Sequence, residues 1–377
     1  MSPAHASSGM NVLLLHGEAR YFAGAERMLG YYLAALPDEP RPLVAVPPDT
    51  RLAALVPAGM PTLALESNTA FSLAGLVRNL ARLRRAHRQR PGDVIHAWHA
   101  RDWELAGLAA RLLRRPAVGT LHDDPQAAFI RPRRQRLMRG LARHALARVI
   151  CVSGAVADRC RQAGYPEEKL VVIHNGLLPG VPEPFPPGGE FRIGFLGAFS
   201  ARKGLDRFCE MLGEFSRGAA GPWRAVIAGA AQDEAGRALA DRIQARFAGE
   251  PWWPRLEWIG WVADARELLR NIHVLVVPSV EFDPFPTVLL EAAAAGRPVV
   301  AARVGGAPEI VRDEVTGWLY PPQRPEEGAR RLRQLAADAS CVARMGAAAA
   351  AHLAAELGMD KMVVDHRRLY LSLAGPC

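Results

Sequence analysis

Short, almost unbroken apolar runs bounded by Gly, Pro, Asp or Asn recur along the chain, with stretches of helical period between them. In the first half they fall at Val12–Leu15, Leu43–Val46, Val94–Ala97, Val118–Leu121, Val149–Val152 and Val171–Ile173. Apolar runs this short, with no polar alternation, mark strands buried on both faces, as parallel strands covered by helices are. The alternation stops across residues 177–190, LLPGVPEPFPPGGE, where five prolines and three glycines leave no room for a regular element. It restarts with Ile193–Leu196, Ala225–Ala228, Leu256–Ile259, Val274–Val277 and Val299–Ala301. The expected fold is therefore α/β, with two doubly wound, Rossmann-like domains over residues 1–180 and 191–357 joined by a linker at 181–190. Sheets of this kind take their ligands at the carboxyl ends of the strands, so a nucleotide or sugar site is expected in a cleft faced by both domains.

Size supports two cores: 377 residues exceed the roughly 250–300 at which a single core stops growing. Half the residues are apolar and 23% are charged, which excludes a disordered chain. No apolar run reaches the roughly 18 residues of a membrane span, and the opening MSPAHASSGM lacks the pattern of a signal peptide. A cytoplasmic protein is expected. The five cysteines are scattered and form no CxxC pair, so neither a disulfide framework nor a zinc site is indicated.

The net charge of +9 is concentrated rather than spread. Arg78 to Arg90 and Arg131 to Arg148 are rich in arginine and contain no acid, and each carries leucines at helical spacing (Leu76, Leu80 and Leu83; Leu137 and Leu141). Both read as amphipathic helices with a cationic outer face. Such a face suits an anionic membrane surface or, equally, simple solvation; no basic stretch interleaved with aromatics is present, so no nucleic-acid partner is expected.

Four segments carry candidate chemistry. In HGEARYFAGAER, Gly24 precedes a helical stretch from Ala25 to Leu36, making a strand–turn–helix anion site that is not GxGxxG. In TLHDDP, His122 follows a strand and stands at its carboxyl edge. In IGFLGAFSARKGLD, Arg202 and Lys203 sit at a helix start after a strand, placed to offset the charge of a departing diphosphate. The fullest signal is VLVVPSVEFDPFPTVLLEAAAAGRPVVAARVGGAPEIV. Here a strand ends at Pro278-Ser279, a loop bears Glu281 and Asp283, and a helix starting near Pro286-Thr287 carries Glu291, eight residues after Asp283. A carboxylate here can accept hydrogen bonds from ribose hydroxyls while the N–H groups of Thr287 and Val288 meet phosphate.

Over almost its whole length the chain resembles the retaining glycosyltransferases of family 4, which have the two-domain GT-B architecture. The family's E-x7-E segment appears as PSVEFDPFPTVLLEAAAAGRPVVAARVGGAPE, supported by GAER, ICVSGAVADRC, VVIHNGLL and the Lys203-Gly204 pair. The resemblance implies a nucleotide-sugar donor in the second domain, an acceptor in the first, retention at the anomeric carbon, and no cofactor or obligatory metal. It implies a hexosyltransferase acting on a glycan or lipid-linked acceptor in cell-surface polysaccharide or lipopolysaccharide biosynthesis. By it, Glu291 holds the ribose, Arg202 or Lys203 the diphosphate and His122 a hydroxyl of the donor sugar, and residues 358–377 form a closing helix that crosses back to the first domain. Two positions depart from the pattern: the first acid of E-x7-E is the shorter Asp283, and Ala198 stands where the family has an arginine. Two other readings stay open: a nucleotide-sugar epimerase of the same fold, and a catalytically weak homologue that binds membrane or nucleic acid.

Overall fold

The computed structural model describes residues 10–17, 24–37, 41–68 and 72–374. Within the first compact unit, formed by residues 1–176 together with 359–377, the order is β1 (Val12–Leu15), α1 (Gly24–Ala35), β2 (Leu43–Val46), β3 (Thr62–Ala64), α2 (Leu73–Gln89), β4 (Val94–Ala97), α3 (Trp103–Leu113), β5 (Ala117–Leu121), α4 (Pro132–His144), β6 (Arg148–Cys151), α5 (Gly154–Gln162) and β7 (Leu170–Val172). The second unit, residues 177–358, continues with β8 (Phe191–Leu196), α6 (Leu205–Ser216), β9 (Trp223–Ala228), α7 (Glu234–Phe247), β10 (Leu256–Gly260), α8 (Arg266–Leu269), β11 (Val274–Val277), α9 (Thr287–Ala294), β12 (Val299–Ala302), α10 (Ala307–Ile310), β13 (Gly317–Tyr320), α11 (Pro325–Ala337) and α12 (Ala339–Glu356). The last helix, α13 (Met359–Ala374), belongs to the first unit, where it packs on α1 and β4.

Both sheets are wholly parallel and each reverses its order once: β3-β2-β1-β4-β5-β6-β7 in the first unit and β10-β9-β8-β11-β12-β13 in the second. The reversals, between β1 and β4 and between β8 and β11, open a crevice at the strand carboxyl ends, because the flanking connections leave in opposite directions there. Right-handed crossovers put α1 on one face of the first sheet and α2 to α5 on the other. All eleven apolar runs read from the sequence are strands. β3 and β13 lie outside those runs. β3 is a three-residue edge strand with both end residues exposed, so it presents no continuous apolar run; the GWLY of β13 is wholly buried but starts on a glycine.

Helix starts follow local chemistry. The hydroxyls of Ser72 and Ser153 and the carboxylate of Asp338 accept from Gly75, Val156 and Cys341 N–H at 3.0–3.1 Å, capping α2, α5 and α12. The arginine-rich stretches do form helices, α2 and α4. In α4, however, Leu137 is 45% exposed, and the residues turned inward are Met138 and Ala142. Among the described residues no helix is long and apolar enough to cross a membrane.

The proline-rich stretch contains no regular element, yet its centre is pinned to the second unit by a charge. Arg297 is fully buried, and its guanidinium donates to the carbonyls of Leu269, Glu183 and Pro184 at 2.7–2.8 Å and lies 4.4 Å over the Phe185 ring. Arg297→Met would keep the stem but strand three carbonyls. The expected result is a loss of about 2–4 kcal/mol from the second unit: the buried Leu269 carbonyl, left unsatisfied, costs about 1–3 kcal/mol, and the part-buried carbonyls of Glu183 and Pro184 add less because water can reach them. Urea titration followed through that unit's tryptophans measures it, and an unchanged midpoint would show that the linker is held by other contacts.

Candidate active site

In the second unit the crevice between β8 and β11 collects the charged side chains. The loop after β8 carries Arg202 and Lys203; the loop after β11 carries Ser279 and Asp283. Two close approaches lock these loops together. Gly204 has φ +70°, and a Cβ there would collide with the Pro278 carbonyl; Val280 N–H donates to the Arg202 carbonyl at 3.0 Å. Asp283 is itself fastened from behind: Gly306 N–H donates to its carbonyl at 2.9 Å, and Gly305, at φ +53°, packs so tightly on its backbone that no side chain fits. The paired glycines of VGGAPE thus position the acid.

The Asp283 carboxylate is buried. Lys203 Nζ donates to its Oδ2 at 2.7 Å, Ser279 Oγ donates to the same oxygen at 3.2 Å, and Arg202 Nη1 stands 3.5 Å from Oδ1. Burial pushes this carboxyl's pKa up, but Lys203, Arg202 and Ser279 outweigh it and leave the group below the ordinary aspartate value. The ionised carboxylate therefore holds two cations side by side at the head of the crevice. Arg202 keeps 38% of its side chain exposed and Lys203 22%, so both can reach a ligand. Glu281 points to solvent and takes no part in this cluster.

Pro286 precedes the first turn of α9, and Thr287 and Val288 open it, so their N–H groups have no intrahelical acceptor. Glu291 lies buried in the middle of the same helix. Ala198, in the loop after β8, carries no charge to the site. The structure thus brings Arg202, Lys203 and Asp283 into mutual contact and sets Pro286, Thr287, Val288 and Glu291 along the helix that follows.

Gly24 and His122 belong to the first unit. Gly24 begins α1, whose start is tied to the end of β4 by Trp98 Nε1, which donates to the Ala25 carbonyl at 3.0 Å. Residues 18–23 of HGEARYFAGAER lie outside the described residues. His122, just past β5, places Nε2 3.0 Å from the Trp98 carbonyl. A carbonyl can only accept, so Nε2 carries the proton and Nδ1 is left as an acceptor. Burial above all pushes the His122 pKa down, to about 4, against the opposing pull of Glu26 and the Trp98 carbonyl. The ring is neutral near pH 7, fixed in one tautomer, and able to accept a hydrogen bond from a hydroxyl.

Around it lies a cluster that sequence spacing did not reveal. His16, directly after β1, has Nε2 3.3 Å from Glu26 Oε1 and stacks on His99, with centroids 5.7 Å apart and planes 7° from parallel. Asp102 accepts from Gly17 N–H at 2.9 Å and from Asn68 Nδ2 at 2.6 Å, joining the turns after β1, β3 and β4. His96 bridges Thr120 Oγ1 and Tyr370 Oη, each at 2.7 Å. The partners of His96 and His99 thus come from β5, α13 and the turn after β1.

Comparison with known proteins agrees with this geometry. The sequence pattern of Glycosyltransferase Family 4 matches residues 24–178, and that of Glycosyl transferases group 1 matches residues 190–338. The HepE protein of Anabaena, solved with UDP and glucose, superposes with a TM-score of 0.81 at 24% identity over 97% of this chain and all of its own. The lipopolysaccharide outer core galactosyltransferase WaaB superposes at 0.76 with 14% identity, covering 96% of this chain and 99% of its own. These superpositions establish the GT-B fold. Among curated sequences, D-inositol 3-phosphate glycosyltransferase of Streptomyces bingchenggensis is 43% identical over 101 residues, 27% of this chain and 22% of that protein. A glycosyltransferase of Methanocaldococcus jannaschii of uncharacterised activity is 28% identical over 61% of this chain and 62% of its own. The chain thus matches about a fifth of the first relative's length and under two thirds of the second's.

Proposed function

Since the chain belongs to the group 1, family 4 glycosyltransferases, we propose that it transfers a hexosyl group from a nucleotide-sugar donor to an acceptor hydroxyl with retention at the anomeric carbon and no metal. The observation that carries this reading is the Arg202–Lys203–Asp283 cluster at the crevice of the second sheet. Breakage of the bond between anomeric carbon and phosphate oxygen leaves its electron pair on the diphosphate. Lys203 and Arg202 are aimed where that charge grows, in a site already organised before the donor arrives. The amides of Thr287 and Val288 supply further donors to phosphate, and Glu291 accepts from the ribose hydroxyls. His122 Nδ1 accepts from a hydroxyl of the donor sugar.

The acceptor is a glycan or lipid-linked saccharide, and the protein works from the cytoplasm at the inner face of the membrane, in cell-surface polysaccharide or lipopolysaccharide assembly. The WaaB likeness and the arginine-rich helices support that setting. UDP-glucose is the first donor to test, because it is the ligand of the HepE complexes. A thermal-shift series with UDP-, GDP- and ADP-sugars decides the donor: a ligand at 100 times its Kd stabilises by about 2.7 kcal/mol. Failure of all three classes to shift the protein would reject the reading. Epimerised sugar released without acceptor would move it to an epimerase.

Glu291→Gln is expected to weaken donor binding by about 1.5–3 kcal/mol, the range for hydrogen bonds to a charged group. Gln is nearly isosteric with Glu, so α9 should be undisturbed. Calorimetry with UDP alone and with UDP-sugar measures the loss, and equal affinity in both proteins would remove Glu291 from the ribose.

A further inference from the structure

We infer that the outer face formed by α2, α3 and α4 of the first unit is a docking surface for an anionic lipid bilayer. This deepens the membrane setting proposed above by naming the surface; its geometry does not depend on which reaction the protein catalyses. The three helices lie side by side on one face of the first sheet. Between them they carry eleven arginines and one acid, Glu104.

Some of those arginines are structural. Arg78 and Arg82 are held by Glu66, and Arg134 is paired with Glu104. Arg84, Arg88, Arg111, Arg136 and Arg143 are exposed and, among the described residues, have no carboxylate within ion-pair distance. They fall on outward stripes: Leu73, Val77, Arg84 and Arg88 recur at helical spacing on α2, as do Arg136 and Arg143 on α4.

The apolar residues on the same stripes decide the occupant. Leu73 is 67% exposed, Val77 58%, and Leu108, Leu112 and Leu137 42–45%. Aliphatic side chains among unpaired arginines suit the headgroup region, where the guanidinium meets lipid phosphate and the aliphatic groups enter the acyl boundary. A nucleic acid would use the cations but leave these side chains against water, with no aromatic platform for its bases. A second copy of this chain would face a like charge.

The test uses the full-length protein in co-sedimentation with vesicles of phosphatidylglycerol and phosphatidylcholine, or of phosphatidylcholine alone. Binding is expected only to the anionic vesicles, falling as salt rises. Each arginine near an anionic surface multiplies the partition by about five, so Arg84→Gln/Arg88→Gln/Arg136→Gln should bind about a hundredfold more weakly. Val77→Ser/Leu112→Ser should lose about tenfold while keeping the salt dependence, because it removes insertion and no charge. Neither set of sites adjoins the donor residues, so the UDP-sugar thermal shift should be unchanged in both variants and certifies folding. No binding to anionic vesicles at low salt overturns the inference, as does tighter binding to a DNA duplex that Val77→Ser/Leu112→Ser leaves intact. Vesicle binding without any UDP-sugar shift would retain this surface and reject the donor reading instead.

Discussion

Lys203→Ala is expected to lower kcat by about 10²–10³ while raising the KM for donor far less. The lysine is the closest cation to the buried Asp283, and in the proposed reaction it is the group that meets the charge of the departing diphosphate. Only an interaction that strengthens on the way to the transition state changes kcat, and loss of one preorganised donor to a developing anion typically costs this much. Arg202 cannot fully replace it: its guanidinium is more exposed and 3.5 Å from the carboxylate, against 2.7 Å for Lys203. Because no arginine stands at position 198, the proposed reaction leaves this task in the β8 loop to the two adjacent cations, and Arg202→Ala should show a smaller loss of the same kind. Ser279 and Arg202 still hold Asp283 after the substitution, so the fold should survive, and calorimetry with UDP separates binding from turnover. An unchanged kcat in Lys203→Ala would place the leaving-group chemistry elsewhere.

The ease of reading the fold from sequence has a physical cause. Parallel strands covered on both sides must be apolar at every position, so Val274–Val277 and Val299–Ala302 announce themselves without any partner in view. β3 does not, because as an edge strand it has little to bury. On α4, helical spacing shows that an apolar stripe exists but not which residue faces inward. Met138 and Ala142 occupy that stripe, and Leu137 is left outside with the arginines.

The site divides along the same line. The eight-residue spacing of Asp283 and Glu291 is local, being a loop followed by one and a half helical turns, and can be read from the chain alone. The ion pair between Lys203 and Asp283 spans 80 residues and exists only because β8 and β11 are neighbours at the sheet reversal, a fact of topology. The glycine pair at 305–306 was part of the recognisable motif, yet its work of pressing on the Asp283 backbone appears only in three dimensions. The histidine cluster was least legible of all, because its members come from β1, β4, β5 and α13.

That cluster should make the first unit the acid-sensitive one. His96 and His366 are fully buried, their rings 5.7 Å apart, in a slot walled by Tyr32 of α1, Trp98 and Tyr370, with Asp365 on the His366 helix supplying the nearby negative charge. His366 donates from Nδ1 to the Met362 carbonyl at 2.9 Å. Burial above all pushes the pKa of His366 down to about 4 and that of His96 well below the ordinary histidine value; His99 and His122 are lowered for the same leading reason. In the unfolded chain all four titrate near 6.5, so the folded unit binds fewer protons at every pH between. The stability this neutrality contributes is complete above pH 6.5 and is lost as pH falls toward 4. His366 alone, shifted from about 6.5 to about 4, removes roughly 3 kcal/mol as the pH falls through that window, and His96 acts in the same direction. In the second unit His273 and His352 are only half-buried, and its loss should be shallower. Hydrogen exchange read by mass spectrometry should show peptides from β4 and α13 losing protection between pH 6 and 4 before those from β11. His366→Phe keeps an aromatic ring in the slot and removes one titrating group, so it should move that loss to lower pH. Protection of β4 and α13 that persists to pH 4, or a profile identical in His366→Phe, would show that the buried imidazoles do not set the acid limit.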